Sequence, residues 1–144
     1  MSLYDYAYFQ VSVKAILKKD DRILLLETPD GYYDFPGGRI DESEIDMNMH
    51  DVLNREIREE LGDELNFKIK NLIFTSKRHY NKDNTDYRLI VLYYLAEYVD
   101  GDIKLSDEHA ISRWIDPSDI LDASDKFMSK DEYEQYKNFV TNNG

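Results

Sequence analysis

Apolar and polar residues alternate along Phe9–Lys18 (FQVSVKAILK), with Val11, Val13, Ala15 and Leu17 on one side, the pattern of a half-buried strand. Arg22–Glu27 repeats it, and the Asp20-Asp21 pair between the two supplies turn chemistry for a hairpin. Thr28–Tyr32 (TPDGY) is a loop leading into a short extended segment, Tyr33–Pro36, that Gly37-Gly38 ends. The period then changes. Over Asn48–Leu61, Val52, Leu53, Ile57 and Leu61 recur at mainly four-residue spacing, a helix that Gly62 stops. Phe67–Tyr80 and Tyr87–Tyr98 read as long strands joined by a polar turn, NKDNTD. Asp100-Gly101-Asp102 turns the chain again before a short strand, Ile111–Ile115, around Trp114. Pro117 permits a helix to begin, with Ser118 and Asp119 in its first turn, and Tyr133, Tyr136, Phe139 and Val140 predict a C-terminal helix over Ser129–Val140. Strands, helix, strands, helix is the order of a mixed sheet with helices packed against it.

Composition narrows the chemistry. With 144 residues and 42% hydrophobic content, one domain spanning residues 1–144 is expected. The absence of cysteine removes disulfides and thiolate metal sites, so a metal here must be held by oxygen or imidazole. A net charge of −12, from 30 acidic and 18 basic residues, disfavours extended nucleic acid and leaves a small anionic ligand as the expected partner. No leader and no apolar run long enough for a bilayer is read, which predicts a cytoplasmic, soluble protein without membrane contact. The aromatic amino terminus (Tyr4, Tyr6, Tyr8, Phe9) is expected to cover the domain's own core, with a homodimer interface as the other use.

The densest chemistry is Arg55-Glu56-Ile57-Arg58-Glu59-Glu60-Leu61-Gly62. At about 100° per residue, Glu56, Glu59 and Glu60 fall at relative angles of roughly 0°, 300° and 40°, one sector of a helix. Like charges so placed destabilise an isolated helix by roughly 0.2 to 0.5 kcal/mol per pair, so a cation is welcome there. Mg²⁺ suits such oxygen ligands. A solvated acidic face is the plainer reading of the same pattern. Gly37-Gly38 adds a turn at which backbone can approach a phosphate or offer a carbonyl to a metal.

Taken together, Gly38, Glu44, Arg55, Glu56, Ile57, Glu59, Glu60 and Gly62 resemble the signature of the Nudix hydrolases, the MutT-like family. Phe35-Pro36-Gly37-Gly38 and Trp114-Ile115-Asp116-Pro117 are similar to that family as well. Two departures stand out. Ten residues, Ile45–Asn54, separate Glu44 from Arg55 where the family usually has seven, so Ile45–Met47 should enlarge the loop before the helix and leave the place of Glu44 open. Asp63 replaces an aliphatic residue, for which Leu65 can substitute in packing.

The resemblance implies an α/β/α sandwich with a mixed central sheet, an α/β (α+β) fold whose glutamate-bearing helix follows a Gly-Gly loop. It also implies metal-dependent hydrolysis of a pyrophosphate bond in a nucleoside diphosphate-linked substrate, with Mg²⁺ or Mn²⁺ held by Glu56, Glu59, Glu60 and the Gly38 carbonyl. Nucleoside triphosphates or dinucleoside polyphosphates are the favoured substrates, with ADP-ribose, nucleotide sugars and messenger-RNA caps behind them. A nucleotide-binding sensor with weak or no catalysis is the alternative if the longer loop displaces Glu44. Catalytic roles fall to Glu56, Glu59, Arg55 and Glu108, although Arg55 also reads as an ordinary helix-surface arginine and Glu108 as a solvated loop acid. His109 reads as a surface residue. Gly37, Gly38, Arg39, Lys77, Arg78 and Tyr80 are the substrate-binding candidates, the basic cluster Lys77-Arg78-His79 for terminal phosphates and Tyr80 for a base.

Overall fold

The computed structural model describes residues 5–107, 109 and 111–143. Its strands are β1 (Gln10–Lys19), β2 (Arg22–Glu27), β3 (Tyr33–Asp34), β4 (Gly37–Arg39), β5 (Asn66–Lys82), β6 (Thr85–Asp100) and β7 (Ile111–Ile115), with helices α1 (Met49–Leu61) and α2 (Lys130–Asn143). They form one mixed sheet in the order β3-β2-β1-β6-β5, with β4 paired to β1 and β7 to β2. β1 runs parallel to β6, and its other pairings are antiparallel.

Strand alternation divides the core between the two faces of the sheet. Val13, Ala15, Leu17, Leu24, Leu26, Tyr94 and Ala96 face α1, which contributes Val52, Leu53, Ile57 and Leu61. Ile16, Ile23, Leu25, Leu89, Val91 and Tyr93 face the other way, towards Phe127 and the α2 residue Tyr136. Both faces of β1 are therefore covered. That covering is why Ser12 and Lys14, polar in the sequence pattern, are buried.

The sheet forks beside β1, and the fork positions the site. β2 pairs with β1 only at Lys18 and Lys19, close to their hairpin turn. Nearer the start of β1 its place is taken by β4, in register from Ser12↔Arg39 to Lys14↔Gly37, with Ala15 N donating to Pro36 O (2.8 Å) and Ile40 N to Val11 O (2.8 Å). Gly37-Gly38 thus does not simply end an extended segment. It forms a strand, which the sequence pattern hides because glycines carry no side chains to alternate.

Other expectations shift in detail. The polar turn between β5 and β6 is reduced to Asp83-Asn84, both at positive φ (52° and 63°), the two-residue hairpin geometry that Asp and Asn tolerate. Instead of a helix after Pro117 the chain makes two short 3₁₀ turns, Asp119–Asp122 and Ser124–Lys126. Tyr6 and Tyr8 stand exposed rather than covering the core, and Tyr4 lies outside the described residues.

Candidate active site

Two glycines let β4 lie against its neighbours. Gly37 has φ +141°, and a side chain there would run into the Val13 backbone and come within 2.8 Å of Lys14 Cα. At Gly38 a Cβ would stand 2.7 Å from the Glu56 carboxyl carbon, so the main chain and this carboxylate are in close apposition. Asn48 caps α1 by accepting from Asp51 N (2.9 Å), and Gly62 (φ +91°) closes it.

Arg55 is the hub of the outer layer. Its Nη2 donates to Glu44 Oε1 (2.7 Å) and Glu56 Oε1 (2.7 Å), its Nη1 to Glu59 Oε1 (2.8 Å), and its Nε to the other Glu44 oxygen. This arginine is no ordinary surface residue. The longer loop leaves Glu44 in reach because Glu42–Glu44 forms a 3₁₀ turn closed by a capping box, in which Asp41 N donates to Glu44 Oε1 (2.9 Å). The extra length is taken up outside, where Ile45 is 71% exposed. The hydrogen bonds from Arg55 hold Glu44 below the ordinary glutamate range, whereas burial pushes Glu56 up despite the same arginine.

Behind this layer lies a second cluster, made by Lys14, Asp34, Glu60 and His109. Lys14 Nζ is 3.1 Å from Asp34 Oδ1, and His109 Nε2 is 2.9 Å from Asp34 Oδ2. Burial works to raise Asp34, but the Lys14 ammonium and the His109 hydrogen bond prevail and hold it well below the carboxylate range. The hydrogen bond to Asp34 likewise raises His109. Glu60 is supported less well, by the Lys14 and His109 charges and a hydrogen bond from the Gly37 main chain. Burial, reinforced by the Asp34 charge and only partly offset by Lys14, pushes it up to about 7. Its Oε2 and His109 Nδ1 are buried, 3.9 Å apart, and neither has a hydrogen-bond partner among the described residues.

Sequence reasoning picked out Glu60 of this cluster but missed Lys14, Asp34 and His109. His109 is buried, not on the surface, because the chain after β6 folds back along the end of α1, with Lys104 N donating to Leu61 O (2.8 Å) and Ser106 N to Glu60 O (2.9 Å). Asp34 and Lys14 could have been found only by asking what sits on the second covered face of β1. Glu108 lies outside the described residues.

The basic run after α1 does not form one surface. Alternation along β5 turns Arg78 inward, where Nη2 donates to buried Glu132 (2.7 Å), so this guanidinium is already paired. Lys77 stays exposed, and His79 bonds to Asp86 (2.7 Å). Tyr80 and Arg39 do meet. The Arg39 Nη2 donates to the Tyr80 hydroxyl (2.8 Å) and Nη1 to Gln10 (3.0 Å), while Tyr80 stacks on Tyr87 with centroids 5.0 Å apart. Tyr80 also lines, with Tyr32, Arg78 and Met128, a cleft of about 410 Å³.

Acidic oxygens outnumber cations in this region, as Asp34, Glu44, Glu56, Glu59 and Glu60 face Arg55, Lys14 and His109. Among the described residues no three carboxylate or imidazole groups yet surround one point, since Glu44, Glu56 and Glu59 turn to Arg55. The donor set nevertheless fits a hard divalent cation: all-oxygen ligands, one of them a buried carboxylate oxygen without a partner, beside a backbone free of side chain at Gly38.

Comparison with known proteins agrees. The chain is similar in structure to a MutT protein from Methanosarcina mazei Go1 (TM-score 0.76, 22% identity, covering 94% of this chain and 95% of that one). It is also similar to an ADP-ribose pyrophosphatase from Streptococcus suis 89-1591 (TM-score 0.66, 20% identity, 94% and 92%) and to the E. coli dihydroneopterin triphosphate pyrophosphohydrolase (TM-score 0.63, 16% identity, 94% and 99%). No curated protein matches the sequence. The model of the NUDIX domain matches residues 8–139. Members of that family generally use divalent cations, and the chain belongs to it as a Nudix pyrophosphohydrolase.

Proposed function

We propose that this chain hydrolyses the pyrophosphate bond of a small nucleoside diphosphate-linked substrate, with Mg²⁺ or Mn²⁺ as cofactor. Nucleoside triphosphates and dinucleoside polyphosphates are the expected classes. The observation that carries the reading is the apposition of the Gly38 backbone and the Glu56 carboxylate, one helical turn from the unpartnered buried oxygen of Glu60.

Glu56, Glu59 and Glu60, with the Gly38 carbonyl, are the groups that would hold the cation. When bound, it supplies charge neutralisation of the diphosphate and lowers the pKa of water. The protein's own contributions are separable. Arg55 gathers the carboxylates of Glu44, Glu56 and Glu59 in one place and balances part of their charge, and Glu56 and Glu59 would turn from it to a cation. Glu59, the most exposed of the three helical glutamates, would accept a proton from an attacking water. Arg39, one residue beyond Gly38, offers a cation to the phosphates, and Tyr80 offers its ring to a base. The Glu44–Arg55 pair supports hydrolysis over a non-catalytic, nucleotide-binding sensor.

A panel of nucleoside triphosphates, dinucleoside polyphosphates, ADP-ribose and nucleotide sugars, assayed for product release with Mg²⁺ or Mn²⁺, tests the reading. Turnover of at least one member is expected, with Glu56→Gln strongly impaired on it. Absence of turnover across the panel would defeat the proposal.

A further inference from the structure

The residues that lengthen the loop before α1 create a feature that the reaction itself does not require. Ile45 and Met47 (71% and 42% exposed) hold their side chains out beside Phe9 and Met49, which are also exposed. Together these four wall a groove of about 540 Å³ whose remaining lining includes Arg39, Asp41, Glu42 and Glu44. Exposed apolar side chains gathered in one concave place are a costly use of surface and signal something that covers them.

Position decides what that is. Glu44 lines the groove and is bonded to Arg55, which also holds Glu56, so the groove adjoins the carboxylate cluster through the Glu44–Arg55 pair. Arg39 lines it too, and its other guanidinium nitrogen reaches Tyr80, which lines the cleft of about 410 Å³ shared with Tyr32. Two clefts therefore flank Arg39. Their linings differ: the cleft at Tyr80 carries two tyrosines with Arg78 and Ser129, whereas the groove at Met47 has an apolar wall facing the carboxylates Asp41, Glu42 and Glu44. A terminal phosphate entering the groove would meet three like charges, with Arg39 already donating to Gln10 and Tyr80. An uncharged group would meet no such penalty and would cover the apolar wall.

Resting on the hydrolase reading above, but narrowing its substrates away from nucleoside triphosphates, we infer that the groove is a second substrate subsite for an uncharged apolar group, aliphatic or aromatic, esterified to the phosphate farther from the nucleoside. The substrate is then a diphosphate with two organic ends, one in each cleft. Hydrolysis adds one water across the bridging P–O–P linkage, breaking one P–O bond. The products are a nucleoside monophosphate and the monophosphate ester of the apolar group, and two protons are released as both new phosphate monoesters ionise to dianions.

The test compares adenosine 5′-diphosphate esterified at its terminal phosphate with hexyl or phenyl against ATP, with Mn²⁺, in the wild type and in Ile45→Asp/Met47→Asp. Both substituted positions are exposed, so folding is preserved. The wild type is expected to favour an ester over ATP by about tenfold or more in kcat/KM, and the variant to lose that preference by about tenfold through KM. Equal use of esters and ATP by the wild type, or an unchanged preference in the variant, overturns the inference while leaving the hydrolase reading intact. If neither the esters nor ATP are hydrolysed, the full substrate panel judges the hydrolase reading, and binding of the methylene-bridged hexyl analogue decides the groove alone: unaltered affinity in the variant refutes it. Sedimentation of both proteins completes the comparison. A change from dimer to monomer without a change in preference would make the groove a contact between copies of this chain.

Discussion

Two buried charged clusters lie on this sheet, and they are built to opposite rules. On the α2 side Glu132 is fully committed: one oxygen accepts from Met128 N (3.2 Å), the other from Arg78 and from the Tyr93 hydroxyl, which also bonds Ser76 (3.0 Å). Among the described residues only Arg78 Nε goes without a partner there. On the α1 side Glu60 is also buried, yet among the described residues one of its oxygens has no donor and the neighbouring His109 Nδ1 has no partner, and burial pushes the Glu60 carboxyl up to about 7. A buried charge that is paired ties elements together, here α2 to β5 and β6. One left unpaired costs stability and marks a place prepared for an incoming group.

The largest effect should come from breaking the paired cluster. Glu132→Ala strands Arg78 in the interior and is expected to destabilise the fold by about 3–5 kcal/mol, read from urea denaturation. A loss below about 1 kcal/mol would mean that the pair is not what holds α2. On the other side, Glu56→Gln should leave the fold intact and lower kcat/KM by roughly 10²–10³-fold. Activity within a few-fold of wild type would remove Glu56 from the chemistry.

The third expectation follows from the raised Glu60. Its folded-state pKa exceeds the ordinary 4.5, so the protonated form favours the native state. That contribution is complete below about pH 4.5 and is lost as pH rises through about 7. Without divalent cation, Glu60→Gln should therefore exceed wild type in stability at pH 8, by about 2–3 kcal/mol, and lose most of the advantage by pH 5. A pH-independent difference would contradict the assignment. Smallest of all, Ser76→Ala removes one partner of the Tyr93 hydroxyl, which keeps Glu132, and should cost about 1 kcal/mol in the same urea titration.

The two clusters were not equally legible in the sequence. Helix α1, with Glu56, Glu59 and Glu60 on one side and Gly62 at its end, is written in a local period, and β1, β2, β5, β6 and β7 follow from alternation. Contacts that depend on distant segments left no such trace. Nothing local shows that β4 replaces β2 beside β1, that residues 104–106 return along α1 to bury His109, or that Lys14 points at Asp34. Arg78 shows the same limit from the other direction. Its neighbours in sequence suggest a basic patch, but β5 alternation and the arrival of α2 make it an internal partner of Glu132. The Glu44–Arg55 pair survives a longer loop because a capping box, itself a local device, holds Glu44 before the extra residues begin.

Thermal unfolding of the wild type and Glu60→Gln at pH 8, each with and without Mn²⁺, tests the central claim most directly. If the unpaired Glu60 is reserved for a cation, the variant unfolds at the higher temperature without Mn²⁺, and adding the ion raises the wild type while leaving the variant nearly unmoved. Equal stabilisation of both proteins by Mn²⁺, or a variant no more stable than wild type without it, would contradict the account.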